Sequence, residues 1–158
     1  MPQITALLHT HNDALRLGRA LDSLRPCDEV LIIDDNSEDQ TVRVARQNGA
    51  HIRTAIPGVT GGAYAMDASY DWILCLLPNE ALSEELEAFL LAWKSQEPAE
   101  TLSCCRVNVR EQDETGWHQL EPEARLVNRR LLNWVGELPP MQRCEVTLEG
   151  DLLRFRYP

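Results

Sequence analysis

The sequence predicts an α/β fold: a mainly parallel sheet flanked by helices, with a last third that turns mixed or antiparallel. Three observations predict it. Val30 to Ile33, led in by Glu29, is an unbroken β-branched and aliphatic run, the pattern of a strand buried on both faces. Strand-like and helix-like patterns then alternate as β-α-β-α-β-α-β-α through Trp93, which calls for a parallel sheet with helices on both faces. From Thr101 onward the helical patterns give way to short candidate strands. At 158 residues the chain reads as one domain, 1–158, with a βα half over 1–97 and a smaller mixed β part over 98–158.

The first strand, Ile4 to Leu8, ends in His9-Thr10-His11-Asn12-Asp13. A helix is expected from about Ala14 to Leu24, capped by Asn12 or Asp13, with Leu17, Leu21 and Leu24 on its buried face. His9 and His11 share a strand face, but two histidines without a third ligand read as a polar loop rather than a metal site. Pro26 stops the helix, and the central strand follows. It ends at Asp34 and Asp35. Ser37 is expected to cap a helix over about 38–48, with Gln40 completing a capping box. Two readings of the acids stand side by side. They either face a ligand at the carboxyl edge of the sheet, or they only complement the helix N-terminus.

Gly49 stops the second helix and His51 to Ala55 gives a third strand. The loop Pro57-Gly58-Val59-Thr60-Gly61-Gly62 lacks the spacing and the Lys of a phosphate-binding loop. A short helical piece is expected over Ala63 to Ser69. Trp72 to Leu76 is another buried strand, followed by Leu77-Pro78-Asn79-Glu80. Ser83 caps a helix whose apolar stripe is Leu86, Phe89, Leu90 and Trp93. Beyond Pro98, strands are expected over Leu102 to Val109, Trp117 to Leu120 and Ala124 to Val127. Cys144 to Leu148 and Leu152 to Tyr157 should form a hairpin about Glu149-Gly150-Asp151. Arg125, Arg129 and Arg130 make the only dense basic cluster.

The net charge of −10 argues against a nucleic-acid partner and against an anionic membrane face. No apolar run is long enough for a transmembrane segment, and no signal-peptide pattern opens the chain. The five cysteines show no metal spacing; an odd count without a framework reads as reduced thiols in a cytoplasmic protein. Cys104 and Cys105, as neighbours on a strand, should point to opposite faces.

Over most of its length the chain resembles the family 2 glycosyltransferases, which have the nucleotide-sugar-binding GT-A fold. The matching residues are Ile4 to Asn12, Leu21-Asp22-Ser23-Leu24, Asp28 to Thr41 with its Asp34-Asp35-Asn36-Ser37-Glu38-Asp39 block, Asp71 to Leu74 and Leu82 to Leu86. Arg125 to Arg130 and Trp134-Val135-Gly136-Glu137 resemble the branch that builds lipopolysaccharide core sugars. The resemblance implies sugar transfer from a UDP- or GDP-linked donor in cell-envelope polysaccharide synthesis, with Thr10, Asn12, Asp34, Asp35 and Asn79 as nucleotide-binding residues. It leaves room for a homo-oligomer.

The family's Asp-X-Asp, which holds Mg²⁺ or Mn²⁺ on the diphosphate, aligns with Leu77-Pro78-Asn79, so no divalent ion is expected at Leu77 to Glu80. Where relatives carry a His-Glu after the Gly, this chain has Glu137-Leu138-Pro139-Pro140, and no catalytic base stands out. Three functions follow as expectations. One is a transferase in which Arg125, Arg129 or Arg130 stabilises the leaving diphosphate. The second is a catalytically inactive relative that binds a nucleotide or a protein partner. The third is an interaction module in which the acids only cap helices.

Overall fold

The computed structural model describes residues 1–140 and 144–158. Its strands are β1 (Ile4–Thr10), β2 (Glu29–Asp34), β3 (His51–Thr54), β4 (Trp72–Cys75), β5 (Glu80–Leu82), β6 (Cys104–Asp113), β7 (Gly116–Gln119), β8 (Glu123–Asn128) and β9 (Val146–Arg154). Its α-helices are α1 (Ala14–Asp22), α2 (Thr41–Gln47) and α3 (Glu84–Trp93), and Gly61–Asp67 forms a 3₁₀ helix. The strands make one sheet in the order β3-β2-β1-β4-β8-β6-β9-β5, with β7 paired to β6. The β3-β2-β1-β4 block is parallel. Strand β8 joins it antiparallel to β4, so the last third extends the same sheet, with β6 and β9 parallel inside an otherwise antiparallel region. No helix among the described residues is long and apolar enough to cross a membrane.

Because successive strand residues point to opposite faces, the buried runs feed two cores. Leu8, Ile32 and Leu74 share one cluster with Leu17 and Leu21 of α1, Ala45 of α2, and Leu86 and Leu90 of α3. Leu7, Ile33 and Ile73 face the other way, against Tyr64 and Ala65 of the 3₁₀ helix and Trp134. Helices flank the sheet on both faces, but unequally: all three α-helices cover one face. The other is covered by the 3₁₀ helix and the segment around Trp134. The connection from β3 to β4 carries Pro57, Gly58, Gly61 and Gly62, residues that disfavour a full α-helix there.

Ser83 caps α3 as expected, its side chain accepting from the Leu86 N–H at 3.2 Å. The second capping assignment is corrected. Helix α2 begins at Thr41, after a Gln40 N-cap without a side-chain bond. Ser37 is instead engaged by Asp34, and Asn36 adopts a left-handed φ of 50° that turns the chain away from a helix.

The expected C-terminal hairpin is also absent. Residues 146–154 form one strand, β9, whose partners on β6 jump from Arg106↔Thr147 to Asn108↔Asp151. Gly150 sits in this bulge at φ +101°, where a Cβ would lie 2.4 Å from the Leu86 backbone nitrogen. The Glu-Gly-Asp triplet thus marks a bulge with close helix approach, which uses the same residues as a turn. The thiol assignment is revised too. Cys104 and Cys144 form a disulfide with an S–S distance of 2.06 Å, while Cys27, Cys75 and Cys105 are free. Cys104 and Cys105 do fall in opposite cores, which puts Cys104 rather than Cys105 on the face of Cys144.

These contacts set a contrast between two glycines. Gly150→Ala should destabilise the chain by about 2 kcal/mol or more, because a left-handed φ and a backbone overlap combine. Gly18→Ala, inside α1 with nothing within 4 Å of an added Cβ, should stabilise by about 0.5–1 kcal/mol. Urea midpoints of the two variants against the parent check both signs.

Candidate functional site

The carboxyl ends of β1 and β2 meet in register at Thr10↔Asp34, and each strand runs into a loop that enters a helix. The two loops are stitched together. The Asn12 N–H donates to Ser37 Oγ at 2.9 Å, and Asn12 Oδ1 accepts from the Glu38 N–H at 2.8 Å. The Asp13 N–H donates to Thr41 Oγ1 at 2.8 Å and the Ala14 N–H to Asp39 Oδ2 at 3.2 Å. Asn12 holds a left-handed φ of 53°, a conformation Asn tolerates better than most side chains.

Asp34 is buried beneath this junction. Its Oδ1 accepts from Thr10 Oγ1 at 2.7 Å and from Ser37 Oγ at 2.6 Å, and its Oδ2 accepts from the Ser37 N–H at 2.9 Å. Its carboxylate is spent on the loop. Asp35 is different: its backbone N–H donates to the Thr10 carbonyl at 2.9 Å, and its exposed side chain faces a cleft.

That cleft, of about 980 Å³, runs along the carboxyl ends of the parallel strands. Thr10, His11 and Asp35 line one wall and Thr54 to Pro57 another, with Tyr64, Gly136 and Glu137 beyond. Tyr64 Oη accepts from the Ile56 N–H at 2.7 Å, which anchors the loop after β3. The Trp134 segment crosses so close to the 3₁₀ helix that a Cβ on Gly62 would fall 1.7 Å from the Trp134 carbonyl oxygen. His11 Nδ1 donates to the Asp35 carbonyl at 2.6 Å.

His9 also lines the cleft, edge-on to Tyr64 with ring centroids 5.8 Å apart, and its buried Nε2 has no partner among the described residues. Burial lowers the His9 pKa below its ordinary value, opposed by the charge of Glu137. Of the residues expected to bind nucleotide, Thr10 and Asp35 thus line the cleft. Asn12 and Asp34 build its rim from behind. Asn79 does not line it: its side-chain amide donates to the Phe155 carbonyl at 3.4 Å and its own carbonyl accepts from the Phe155 N–H at 2.9 Å. His9, Tyr64 and Glu137 were not singled out as binding residues. Only their folding onto one edge reveals them.

The stretch Leu77 to Glu80 does not fit a divalent ion. Leu77 offers no side-chain ligand and Asn79 is occupied. Glu80 is fully buried, with Oε1 accepting from Arg125 Nη1 at 2.6 Å and the Leu77 N–H at 2.9 Å, and Oε2 from Arg125 Nη2 at 2.8 Å and Arg154 Nε at 3.0 Å. Burial pushes the Glu80 pKa up, but the hydrogen bonds and charge of Arg125, with help from Leu77 and Arg154, outweigh it and hold the carboxyl below its ordinary value. Among the described residues no group of three or more His, Cys, Asp or Glu side chains is placed to hold a metal.

The arginine cluster also resolves differently from the expectation that it serves a diphosphate. Arg125 is fully buried and also donates to the Cys75 carbonyl at 3.1 Å. Arg129 is held by Asp71 and by the Ala65 and Ala68 carbonyls, and Arg130 is exposed near Asp71 at 3.6 Å. None of the three lines the cleft. They alternate along the end of β8 and beyond it, so sequence proximity separates them in space.

A parallel block with this strand order and a cleft at its carboxyl edge is the arrangement of the GT-A fold. No protein-family model matches the chain. It is similar to an uncharacterized glycosyltransferase of Rickettsia felis, 36% identical over 91 residues covering 55% of this chain and 32% of the relative. It is likewise similar to one of Rickettsia prowazekii, 33% identical over 92 residues. The chain thus spans about a third of the length of these curated relatives.

Among solved structures it resembles TarS of S. aureus, with 18% identity and a TM-score of 0.55 over 72% of this chain and 23% of that one. It also resembles glucosyl-3-phosphoglycerate synthase of Mycobacterium tuberculosis, crystallised with Mn²⁺ and UDP-glucose, with 18% identity and a TM-score of 0.52 over 69% and 44%. These structural likenesses bear out the GT-A fold.

The buried network sets a stability prediction. Glu80→Gln removes the fully buried, two-bond partner of Arg125 and the charge that Arg154 faces, leaving Arg125 only the part-buried Glu123 at 3.1 Å, and should cost about 3 kcal/mol. Glu80 has a lowered folded pKa, so its contribution is present above the ordinary value of 4.5 and lost as pH falls through the folded value. Denaturant midpoints of parent and variant, far apart at pH 7, should converge on acidification below 4.5.

Proposed function

We propose that this chain binds a nucleotide-sugar, UDP- or GDP-linked, in the cleft, as a glycosyltransferase family 2-like protein of cell-envelope polysaccharide synthesis acting in the cytoplasm. The observation that carries the reading is the exposed Asp35 carboxylate at the carboxyl edge of β2, without a partner among the described residues and held in place by the Thr10–Asp34–Ser37 bonds behind it. A carboxylate in a partly shielded cleft accepts strong charge-assisted bonds from a base N–H or ribose hydroxyls. Thr10 and Asp34 are positioning residues in this account, and Asn12 joins the two loops. The GT-A neighbour crystallised with UDP-glucose supports the ligand class. The envelope assignment rests on the Arg125 to Arg130 and Trp134 to Glu137 resemblance.

A second reading, a catalytically inactive relative that binds nucleotide, is favoured by the far end of the cleft. There the positions of the family's metal acids hold Leu77 and an engaged Asn79, and Glu80 is locked to Arg125. Losing one preorganised electrostatic partner commonly costs on the order of a hundredfold or more in rate. The isolated chain should therefore transfer sugar weakly or not at all.

Titration of the chain with UDP, GDP and their sugars, with and without Mn²⁺ or Mg²⁺, tests the reading. Binding should need no added metal. Asp35→Ala should weaken it about tenfold or more, the effect of losing a bond to a charged group, with the melting temperature unchanged. Asp34→Ala should lower the melting temperature, because it frees Thr10 and Ser37. Failure of every nucleotide to bind sinks the proposal, and turnover at an ordinary enzymatic rate sinks the inactive reading.

A further inference from the structure

The described residues lining the cleft include Asp13, Asp35 and Glu137 but no Lys or Arg, in a chain of net charge −10. A diphosphate entering this space needs a counter-charge. The stretch that would bring one on a divalent ion offers Leu77, an engaged Asn79 and a buried, paired Glu80. Arg125 and Arg129 are committed elsewhere. Among the described residues lining the cleft, the side chains that can carry a positive charge are His9 and His11.

We propose that His9 is the cation of this cleft, taking up a proton as a nucleotide-sugar binds and holding its diphosphate without a divalent ion. The inference rests on the nucleotide-binding reading above and adds the group that neutralises the ligand.

Two histidines line the cleft, and their surroundings differ. His11 is tied at both ring nitrogens: Nδ1 donates to the Asp35 carbonyl at 2.6 Å, and Nε2 lies 3.3 Å from Asn12 Nδ2. A second proton on His11 would set an N–H against that amide donor. His9 carries no such ties. It stands on the last turn-facing part of β1, beside Tyr64 of the 3₁₀ helix, with its Nε2 buried and unpartnered among the described residues. The titratable groups that line the cleft with it are Glu137 from the Trp134 segment, Tyr64 of the 3₁₀ helix, Asp35 from the end of β2, and Asp13 and His11 from its own loop; of these the charge of Glu137 acts on it directly.

In the free cleft burial disfavours the imidazolium, and Glu137 offsets this only in part. An incoming diphosphate adds two negative charges in a partly enclosed space, where charges interact more strongly than in water. The equilibrium at His9 then shifts toward the protonated form, and by linkage the ligand binds more tightly as pH falls.

The test is isothermal titration of the full chain with UDP-glucose and GDP-mannose, whose diphosphates do not themselves titrate near neutrality. EDTA is present, and the titration is run in two buffers of different ionisation enthalpy. The expected result is uptake of up to one proton per ligand, with affinity rising by at most about tenfold per pH unit between pH 7.5 and 6. His9→Gln, shown folded by circular dichroism, should remove both the uptake and the pH dependence, whereas uridine should bind the parent chain without uptake. A sugar nucleotide that binds without uptake, or equally well to His9→Gln, overturns the role of His9 and leaves the binding site standing. Uptake that survives in His9→Gln and vanishes in His11→Gln moves the charge to His11 and overturns it too. No binding by either sugar nucleotide or by uridine removes the nucleotide-binding reading itself, and the inference with it.

Discussion

The fold depends on one buried ion pair. Glu80 and Arg125 are both fully buried and meet through two parallel N–H···O bonds of 2.6 and 2.8 Å. Arg125 also reaches the Cys75 carbonyl, and Glu80 also receives Arg154. Four strands thereby converge on this ion pair: β4 through its last carbonyl, which accepts from Arg125, β5 through Glu80, β8 through Arg125 and β9 through Arg154. Removing two charges from water is costly, and such a pair is stable only when nearly every lone pair and proton finds a partner. Here all four carboxylate bonds are made. The pair thus fixes how the parallel block meets the mixed region. It also occupies the place where the family resemblance leads one to expect an open acidic site.

A second device shapes the cleft edge. Two asparagines in left-handed conformation, Asn12 and Asn36, turn the loops after β1 and β2 toward one another. Ser37, Thr41 and Asp39 then receive or supply the bonds that bind those loops together. Asp34 closes the arrangement from below. The division of labour between adjacent acids follows from strand alternation: one carboxylate points into the junction and holds it, and the next points outward into the cleft.

Much of the architecture was legible because it was written in long apolar runs. The β1, β2 and β4 segments, the α1 stripe and the Ser83 cap all appear near where their patterns place them, since burial on both faces leaves little choice of residue. What escaped had opposing signals. Strand β5 is three residues long and opens with a glutamate, and only the distant Arg125 and Arg154 make that residue compatible with burial. Gly150 marks a turn in sequence and a bulge in space, because both require the same φ. Ser37 suits a helix cap, but Asp34, three residues earlier, competes for its hydroxyl and its N–H and wins. The Cys104–Cys144 bridge spans a sequence separation of 40, which no local pattern encodes. At the cleft, Thr10 and Asp35 were legible from strand ends. His9, Tyr64 and Glu137 come from three separate stretches, so only tertiary packing brings them together.

The pairing of β5 with β9, Glu80 opposite Arg154 across 74 residues, has a consequence for synthesis. A ribosome adding about 5–20 residues per second takes on the order of 4–15 s to go from one partner to the other. During that interval β1, β2 and β4 can already associate, whereas β5 has no neighbouring strand, and Glu80 lacks Arg125 for the first 45 residues and Arg154 for all 74. The nascent sheet therefore carries an open edge beside an unneutralised carboxylate. The hydration of that carboxylate keeps the edge from collapsing onto other chains until Arg125 and then Arg154 emerge. The residue that locks the finished fold also acts, while it waits, as the gatekeeper of the unfinished one.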